Sequence, residues 1–301
     1  METLLGGKSN LRGILYMLIG AGSFVLNDSM MKLVMANAPP YQTLCLRGVF
    51  AFLWALPLLT VLGLWKDMPK ALNRFVFARG LLEVLAIMTF ILALANAPLG
   101  HVTAIFQILP MLILVGMAAF HRERIDGIRW ALVLAGFAGA LLVAQPGSGS
   151  TSPFALLAFA AAFFAALRDL VGRRIPSSTP VLVSTFVTNG LVLIGATIAG
   201  LWFETWISPS PDQYLLMLGT GLLVTIGHVF TFLAFKHAQA QAVAPFYYSF
   251  MVWAVFLGFV IFDDVPNGLA IIGMILILAS GLAVIFLEGK SKNLTAIEPQ
   301  V

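Results

Sequence analysis

A succession of about ten apolar segments, with positive charge confined to alternate connections between them, constrains this chain more than any other feature. Each segment runs for roughly 17–25 residues, the length a helix needs to cross the hydrocarbon core of a bilayer. The segments fall near residues 13–35, 40–64, 72–95, 98–119, 127–145, 153–173, 178–202, 212–235, 240–262 and 266–287. Lipid cannot satisfy backbone N–H and C=O groups, so each segment is expected to be a helix. Composition agrees, because 60% hydrophobic and 10% charged residues leave too little polar surface to face water on all sides. The expected fold class is an all-α integral membrane protein with ten transmembrane helices.

The breaks between segments are turn-forming or charged. They include Ala38-Pro39-Pro40, Lys66-Asp67-Met68-Pro69-Lys70, Arg122-Glu123-Arg124, Gln145-Pro146-Gly147-Ser148-Gly149 and Ser208-Pro209-Ser210-Pro211-Asp212. Lys8 and Arg12 precede the first span, and Lys66, Lys70 and Arg74 surround the second connection. Arg122, Arg124 and Arg129 mark the fourth, Arg173 and Arg174 the sixth, Lys236 the eighth, and Lys290 and Lys292 the C-terminal tail. The odd-numbered connections hold almost no Lys or Arg. Positive residues stay on the cytoplasmic side, so both termini are expected there. The pI near 9.4 follows from this pattern, and no nucleic-acid partner is expected. Lys8 and Arg12 before an apolar run imitate a cleaved signal peptide, but the run is too long and Asp28 and Lys32 interrupt it. The single cysteine, Cys45, lies within a span and reads as a small packing residue.

The two halves repeat. Asp28 corresponds to Asp169 at a shift of 141 (169 − 28), as do Lys32 and Arg173, Leu92-Ala93 and Leu233-Ala234, Ala97 and Ala238, and Val102 and Val243. Glu123 with Asp264 and Gly127 with Gly268 keep the same offset. Five spans is an odd number, so the second copy would enter the membrane from the opposite side. The expected organisation is an N-terminal tail at 1–12, a first repeat at 13–145, a periplasmic linker at 146–152, a second repeat at 153–287, and a tail at 288–301. Two inverted five-helix repeats are typical of secondary transporters, whose substrate site lies near the pseudo-two-fold axis.

Function is sought in the polar residues held inside the apolar mass. A charge at bilayer depth costs on the order of 3 kcal/mol, so such residues pair, face a cavity, or both. Asp28 with Lys32, Arg79 with Glu83, and Asp169 with Arg173 are spaced i, i+4, which places acid and base on one helix face. Local neutralisation with snorkelling of Lys32 and Arg173 is the plainer reading of that spacing. Asn27, Asp28, Arg47, Arg79, Glu83, Arg168 and Asp169 sit deeper and are candidates to line a cavity. Counted along their helices, Asp28 and Arg47 share an outer level, whereas Arg79, Arg168 and Asp169 share an inner one. Such paired layers suggest two gates. The run Ala244-Pro245-Phe246-Tyr247-Tyr248, followed by Trp253, offers flat aromatic walls to a ring-containing substrate, or an ordinary helix interface. Pro245 and Pro110 are expected to kink their helices. His228 and Gln107 stand alone and read as interhelical hydrogen bonds.

Catalytic signatures are missing from the sequence. Gly7-Lys8-Ser9 imitates the end of a phosphate-binding loop, but Glu2 occupies the place of its first glycine. The chain has neither H-E-x-x-H nor G-x-S-x-G, and no His/Cys cluster for a metal, so neither an enzyme nor a bound cofactor is expected. The alternative from another class is a membrane sensor or intramembrane enzyme that retains a transporter body, and the enzyme would need a nucleophile or metal constellation at depth.

The whole chain resembles the EamA family of the drug/metabolite transporter superfamily. Ten spans in two halves carry the likeness, with an acidic residue after spans four and nine (Glu123, Asp264). Asp264, followed by Val265-Pro266, departs mildly from the family's common glutamate. Asn27-Asp28 with Lys32, Leu46-Arg47-Gly48, Arg79-Gly80-Leu81 and Ala244-Pro245-Phe246-Tyr247 are similar to a bacterial subgroup that includes riboflavin importers and S-adenosylmethionine carriers. The resemblance implies a secondary carrier of the bacterial inner membrane, working by alternating access on a small molecule. Riboflavin leads, with S-adenosylmethionine second and efflux of amino acids or other metabolites third. Asp28, Glu83 and Asp169 are candidates to carry coupling protons. Direction of transport and oligomeric state are not encoded in any motif here.

Overall fold

The computed structural model describes residues 2–121, 126–145, 153–238 and 240–295, and every regular element among them is helical. The linker expected at 146–152 and the charged residues Arg122, Glu123 and Arg124 lie outside the described residues. The α-helices are α1 (Glu2–Met35), α2 (Pro40–Val61), α3 (Arg74–Asn96), α4 (Leu99–Phe106), α5 (Leu109–His121) and α6 (Gly127–Ala144), then α7 (Leu157–Gly172), α8 (Val181–Phe203), α9 (Pro211–His237), α10 (Ala240–Val243), α11 (Ser249–Phe262) and α12 (Gly268–Thr295). Short 3-10 turns occupy Leu64–Ala71, Pro153–Leu156 and Ala244–Tyr248. Helix continues through Glu2 and Thr295, into stretches expected to be tails.

Among the described residues, 9 helical segments are long and apolar enough to cross a membrane. The segment expected at 153–173 is not one of them. It opens as a 3-10 turn and continues as α7, only 16 residues long. At 1.5 Å per residue such a helix is about 24 Å long, short of the ~30 Å hydrocarbon core. Its alanine face (Ala158, Ala161, Ala162, Ala165, Ala166) is buried against neighbouring helices.

Helices from one half pack chiefly on helices from the other. α1 lies on α9 and α11, α7 on α3 and α5, α2 on α8 and α9, α3 on α8, and α6 on α12. Exchanging the halves (α1 with α7, α2 with α8, α3 with α9, α5 with α11, α6 with α12) maps this set of neighbours onto itself. The α6–α12 seam is closest at Gly139 and Gly273. A Cβ added to Gly139 would lie 2.7 Å from the Gly273 carbonyl oxygen, and one added to Gly273 would lie 2.5 Å from the Gly139 oxygen. Only backbone fits there, which is how small residues let membrane helices approach.

Two spans are interrupted, and the interruptions correspond. The fourth breaks at Gln107-Ile108, between α4 and α5, just before Pro110. Proline has no N–H to donate and its ring crowds the preceding turn. Gln107 N instead donates to Thr103 O and Ala104 O at 3.1 Å each. The segment expected at 240–262 starts as α10, tightens to a 3-10 turn at Pro245, and resumes as α11 at Ser249. Gln107 and Tyr248 are 141 apart (248 − 107), the shift that relates the halves. The breaks also touch, because Gln107 Nε2 donates to Tyr247 O at 3.2 Å.

Candidate functional site

A cavity of about 530 Å³ opens between the halves at these two breaks. From α1 it receives Phe24, Asn27 and Asp28; from α2, Arg47; from α3, Arg79, Glu83 and Phe90; and from α7, Arg168. Thr103, Phe106 and Gln107 come from the first break, Tyr247 and Phe250 from the second. Thr185 and Asn189 of α8 and His228, Thr231, Phe232 and Phe235 of α9 complete the polar and aromatic lining. The cavity extends to Val181 and Phe235, both exposed, at the start of α8 and the end of α9. These two residues share one end of the bundle.

The opposite end is closed by contacts across the bundle. Lys32 Nζ donates to Leu94 O at 2.8 Å and to Ala97 O at 2.5 Å, carbonyls that the C-terminus of α3 leaves unpaired. A cation there also complements the negative end of the helix dipole. The start of α2 has the converse need, since Pro39 supplies no side-chain cap. Glu204 fills it from the α8–α9 connection, accepting from Tyr41 N at 2.8 Å and Gln42 N at 2.9 Å. Gln42 binds the same connection twice, through Ile207 O at 2.6 Å and Ile207 N at 3.0 Å.

Arg168 bridges between helices to Glu83 and along its own helix to Asp169. Arg168 Nη1 meets Glu83 Oε2 at 2.5 Å, and Arg168 Nε meets Asp169 Oδ1 at 2.8 Å. Arg79 donates to Thr188 Oγ1 at 3.0 Å. Asn27 Nδ2 donates to Asp28 Oδ1 at 2.9 Å. The i, i+4 pairs expected from spacing (Asp28 with Lys32, Arg79 with Glu83, Asp169 with Arg173) do not form. Lys32 is drawn away by the open carbonyls of α3, and Glu83 by a guanidinium on the facing helix. Arg173 is exposed. Asp28 and Arg47 of the outer level and Arg79 and Arg168 of the inner level all border the same cavity.

Of the aromatic wall read from span nine, only Tyr247 lines the cavity. Phe246 and Trp253 are each 37% exposed on the outer surface, Trp253 packing beside Gly22 of α1. Tyr248 is buried at 2% exposure, with its hydroxyl against Gly281 of α12. The 3-10 turn at Pro245 changes which face each side chain takes, so consecutive aromatics diverge. Asp169 is paired with Arg168 and does not line the cavity. The wall that forms consists of phenylalanines that sequence reasoning passed over. Phe24 stacks on Phe250 (5.8 Å, 24°) and meets His228 edge-on (4.9 Å), while Tyr247 lies 4.8 Å from Phe250. One signal was available, since Phe24 precedes Asp28 by one helical turn and shares its face.

A helical membrane protein with a polar and aromatic cavity between two packed halves belongs to the class of transporters. The chain is a member of the EamA-like transporter family, whose profile matches it twice, over residues 11–145 and 152–287. Those starts are 141 apart (152 − 11). The S-adenosylmethionine uptake transporter of Rickettsia prowazekii is 24% identical over 287 residues, covering 95% of this chain and 96% of the relative. The riboflavin transporter of Vibrio cholerae is 26% identical, covering 90% and 91%, and that of Rhizobium johnstonii is 28% identical, covering 90% and 89%. A solved structure shares the fold with a TM-score of 0.62 at 19% identity, over 90% of this chain and 96% of its own.

Proposed function

We propose that this protein is a secondary carrier of the bacterial inner membrane that takes up riboflavin by alternating access. The observation that carries the reading is the cavity between the halves, whose walls join stacked phenylalanines to arginine, carboxylate and amide groups. The isoalloxazine ring of riboflavin suits the aromatic face, and its ribityl hydroxyls suit the surrounding polar side chains. Two relatives named as riboflavin transporters support the assignment. S-Adenosylmethionine is the second reading, favoured by Asp28, a carboxylate able to face a cationic ligand.

The proposed topology has ten spans, with α7 and its preceding turn forming the short sixth. The second repeat (153–287) is inverted relative to the first (13–145), joined by a periplasmic linker at 146–152, with tails at 1–12 and 288–301. The symmetric packing of helices and the double family match support this arrangement. With Lys and Arg placing both termini in the cytoplasm, the cavity faces the cytoplasm, and Lys32, Gln42 and Glu204 close the periplasmic side.

The test is uptake of labelled riboflavin by cells that cannot synthesise it, with the wild-type chain or the Asp28→Ala variant expressed. Saturable uptake that the substitution abolishes, at unchanged expression, supports the assignment. Wild-type uptake no greater than in empty cells rejects riboflavin and moves the assignment to S-adenosylmethionine.

A further inference from the structure

Three arginines line the cavity, and two are already engaged: Arg168 by Glu83 and Asp169, and Arg79 by Thr188. Among the described residues Arg47 has no acid within the 4.0 Å of an ion pair. Asp28 is held on one oxygen only, by its neighbour Asn27. Arg47 and Asp28 thus border the same cavity with opposite charges and do not touch. In a medium of low dielectric opposite charges attract strongly, so a group placed between them would be held by both. A ligand group that accepts from the guanidinium and donates to the carboxylate would satisfy both.

Two chemistries meet that description: a zwitterionic α-amino-acid head group, and the imide edge of a heterocycle with C=O beside N–H. The position of the aromatic group decides between them. Phe24 lies about one turn from Asp28 on the same face of α1, about 6 Å along the axis. Phe250 and His228 pack on Phe24, and Tyr247 on Phe250. A ring lying against this group brings its own edge to Asp28. A head group carried on a spacer of several bonds would reach Asp28 only with its ring displaced from the aromatic side chains.

We infer that Arg47 and Asp28 read the imide edge of a fused-ring substrate, Arg47 donating to a ring carbonyl and Asp28 accepting the adjacent N–H. This rests on the cavity being the riboflavin site and names what that site selects. Arg47 is the geometric reader, because its planar fork can hold a carbonyl in the plane of the ring. Asp28 sets the hydrogen-bonding sense of the edge, favouring an N–H over an N–CH₃.

The experiment measures binding of riboflavin and of N3-methylriboflavin to the purified full-length protein, by quenching of flavin fluorescence. In the wild type, N3-methylation should weaken binding about tenfold or more, the loss expected when a buried hydrogen bond to a charged group is removed. In Asp28→Ala both ligands should bind weakly and within about threefold of each other, since the group that distinguished them is gone. Arg47→Lys, which keeps the charge and loses the fork, should weaken both ligands equally. Equal binding of the two flavins to the wild type overturns the inference and leaves riboflavin as substrate. A methylation penalty that persists in Asp28→Ala overturns it as well. Failure of the wild type to bind riboflavin at all overturns both the inference and the substrate reading. The wild-type comparison changes only the ligand, so it does not depend on any variant folding.

Discussion

Replacing Lys32 with methionine should open the closed end of the cavity. The substitution keeps an unbranched apolar stem and removes the ammonium that donates to Leu94 O and Ala97 O. Hydrogen bonds from a charged group contribute about 1.5–3 kcal/mol each, and a cation at a helix C-terminus up to about 2 kcal/mol. In the open arrangement water would hydrate the ammonium, so a net change of about 3 kcal/mol is taken for the whole contact. At 1.4 kcal/mol per factor of ten, that is a shift of roughly 100-fold toward the open form. A state populated at about 1% would rise to about half of the molecules. The assay labels a cysteine placed at cavity residue Asn189, in a Cys45→Ala background, with an impermeant maleimide. Right-side-out spheroplasts and inverted vesicles are compared. Lys32→Met should speed labelling from the side of Lys32 and slow it from the other. The halves relate Lys32 to Arg173, Leu94 to Phe235 and Ala97 to Ala238 at the shift of 141, and Arg173 is exposed here. Arg173→Met should therefore leave this conformation unweakened, with labelling from the Lys32 side no faster. Unchanged labelling from both sides in Lys32→Met, at normal expression, would refute the reasoning.

Other perturbations test separate parts of the structure. Arg168→Ala leaves Glu83 inside the cavity without its guanidinium, and should lower stability by about 3 kcal/mol; Glu83→Gln with Arg168→Gln should recover part of that loss in thermal unfolding in detergent. Gly273→Leu would force a side chain into the Gly139 carbonyl, costing about 3 kcal/mol or preventing assembly, as read by melting temperature and the yield of monodisperse protein. Glu204→Ala removes the cap of α2 at a cost of about 1–2 kcal/mol, and should also speed maleimide access from the Lys32 side. Phe250→Ala should weaken substrate binding by about tenfold, the loss expected for an aromatic contact. Trp253→Leu, on the outer surface, should leave binding unchanged.

The cost of charge in lipid made part of the cavity legible in the sequence. Asp28, Arg47, Arg79, Glu83 and Arg168 stood out for that reason, and all border it. Their partners were not legible. An i, i+4 spacing records that two side chains share a face, but not that an open helix end or a facing guanidinium offers a better partner. Phe90, Phe106, Phe232 and Phe235 were hidden for the opposite reason, since a phenylalanine facing a cavity and one facing lipid have the same hydropathy. Pro110 and Pro245 located the helix interruptions. The direction of the side chains beyond each depended on the turn geometry, so Tyr247 entered the cavity while Phe246, Tyr248 and Trp253 did not. The short α7 shows the same limit, because an apolar run of the right length can spend its first turn as 3-10 helix.

The glycine seam between α6 and α12 bears on how a protein of this design is inherited. A single half, left alone, would carry a strip of bare backbone at Gly139 or Gly273 that no lipid tail fits as closely as another helix does. Each half is therefore an incomplete object whose missing surface is the other half. Carrying both on one chain fixes their stoichiometry at one to one and keeps the two copies free to diverge in sequence. Asp28 and Asp169 show that freedom: they occupy equivalent positions, yet one borders the cavity and the other, outside it, holds the cavity arginine Arg168.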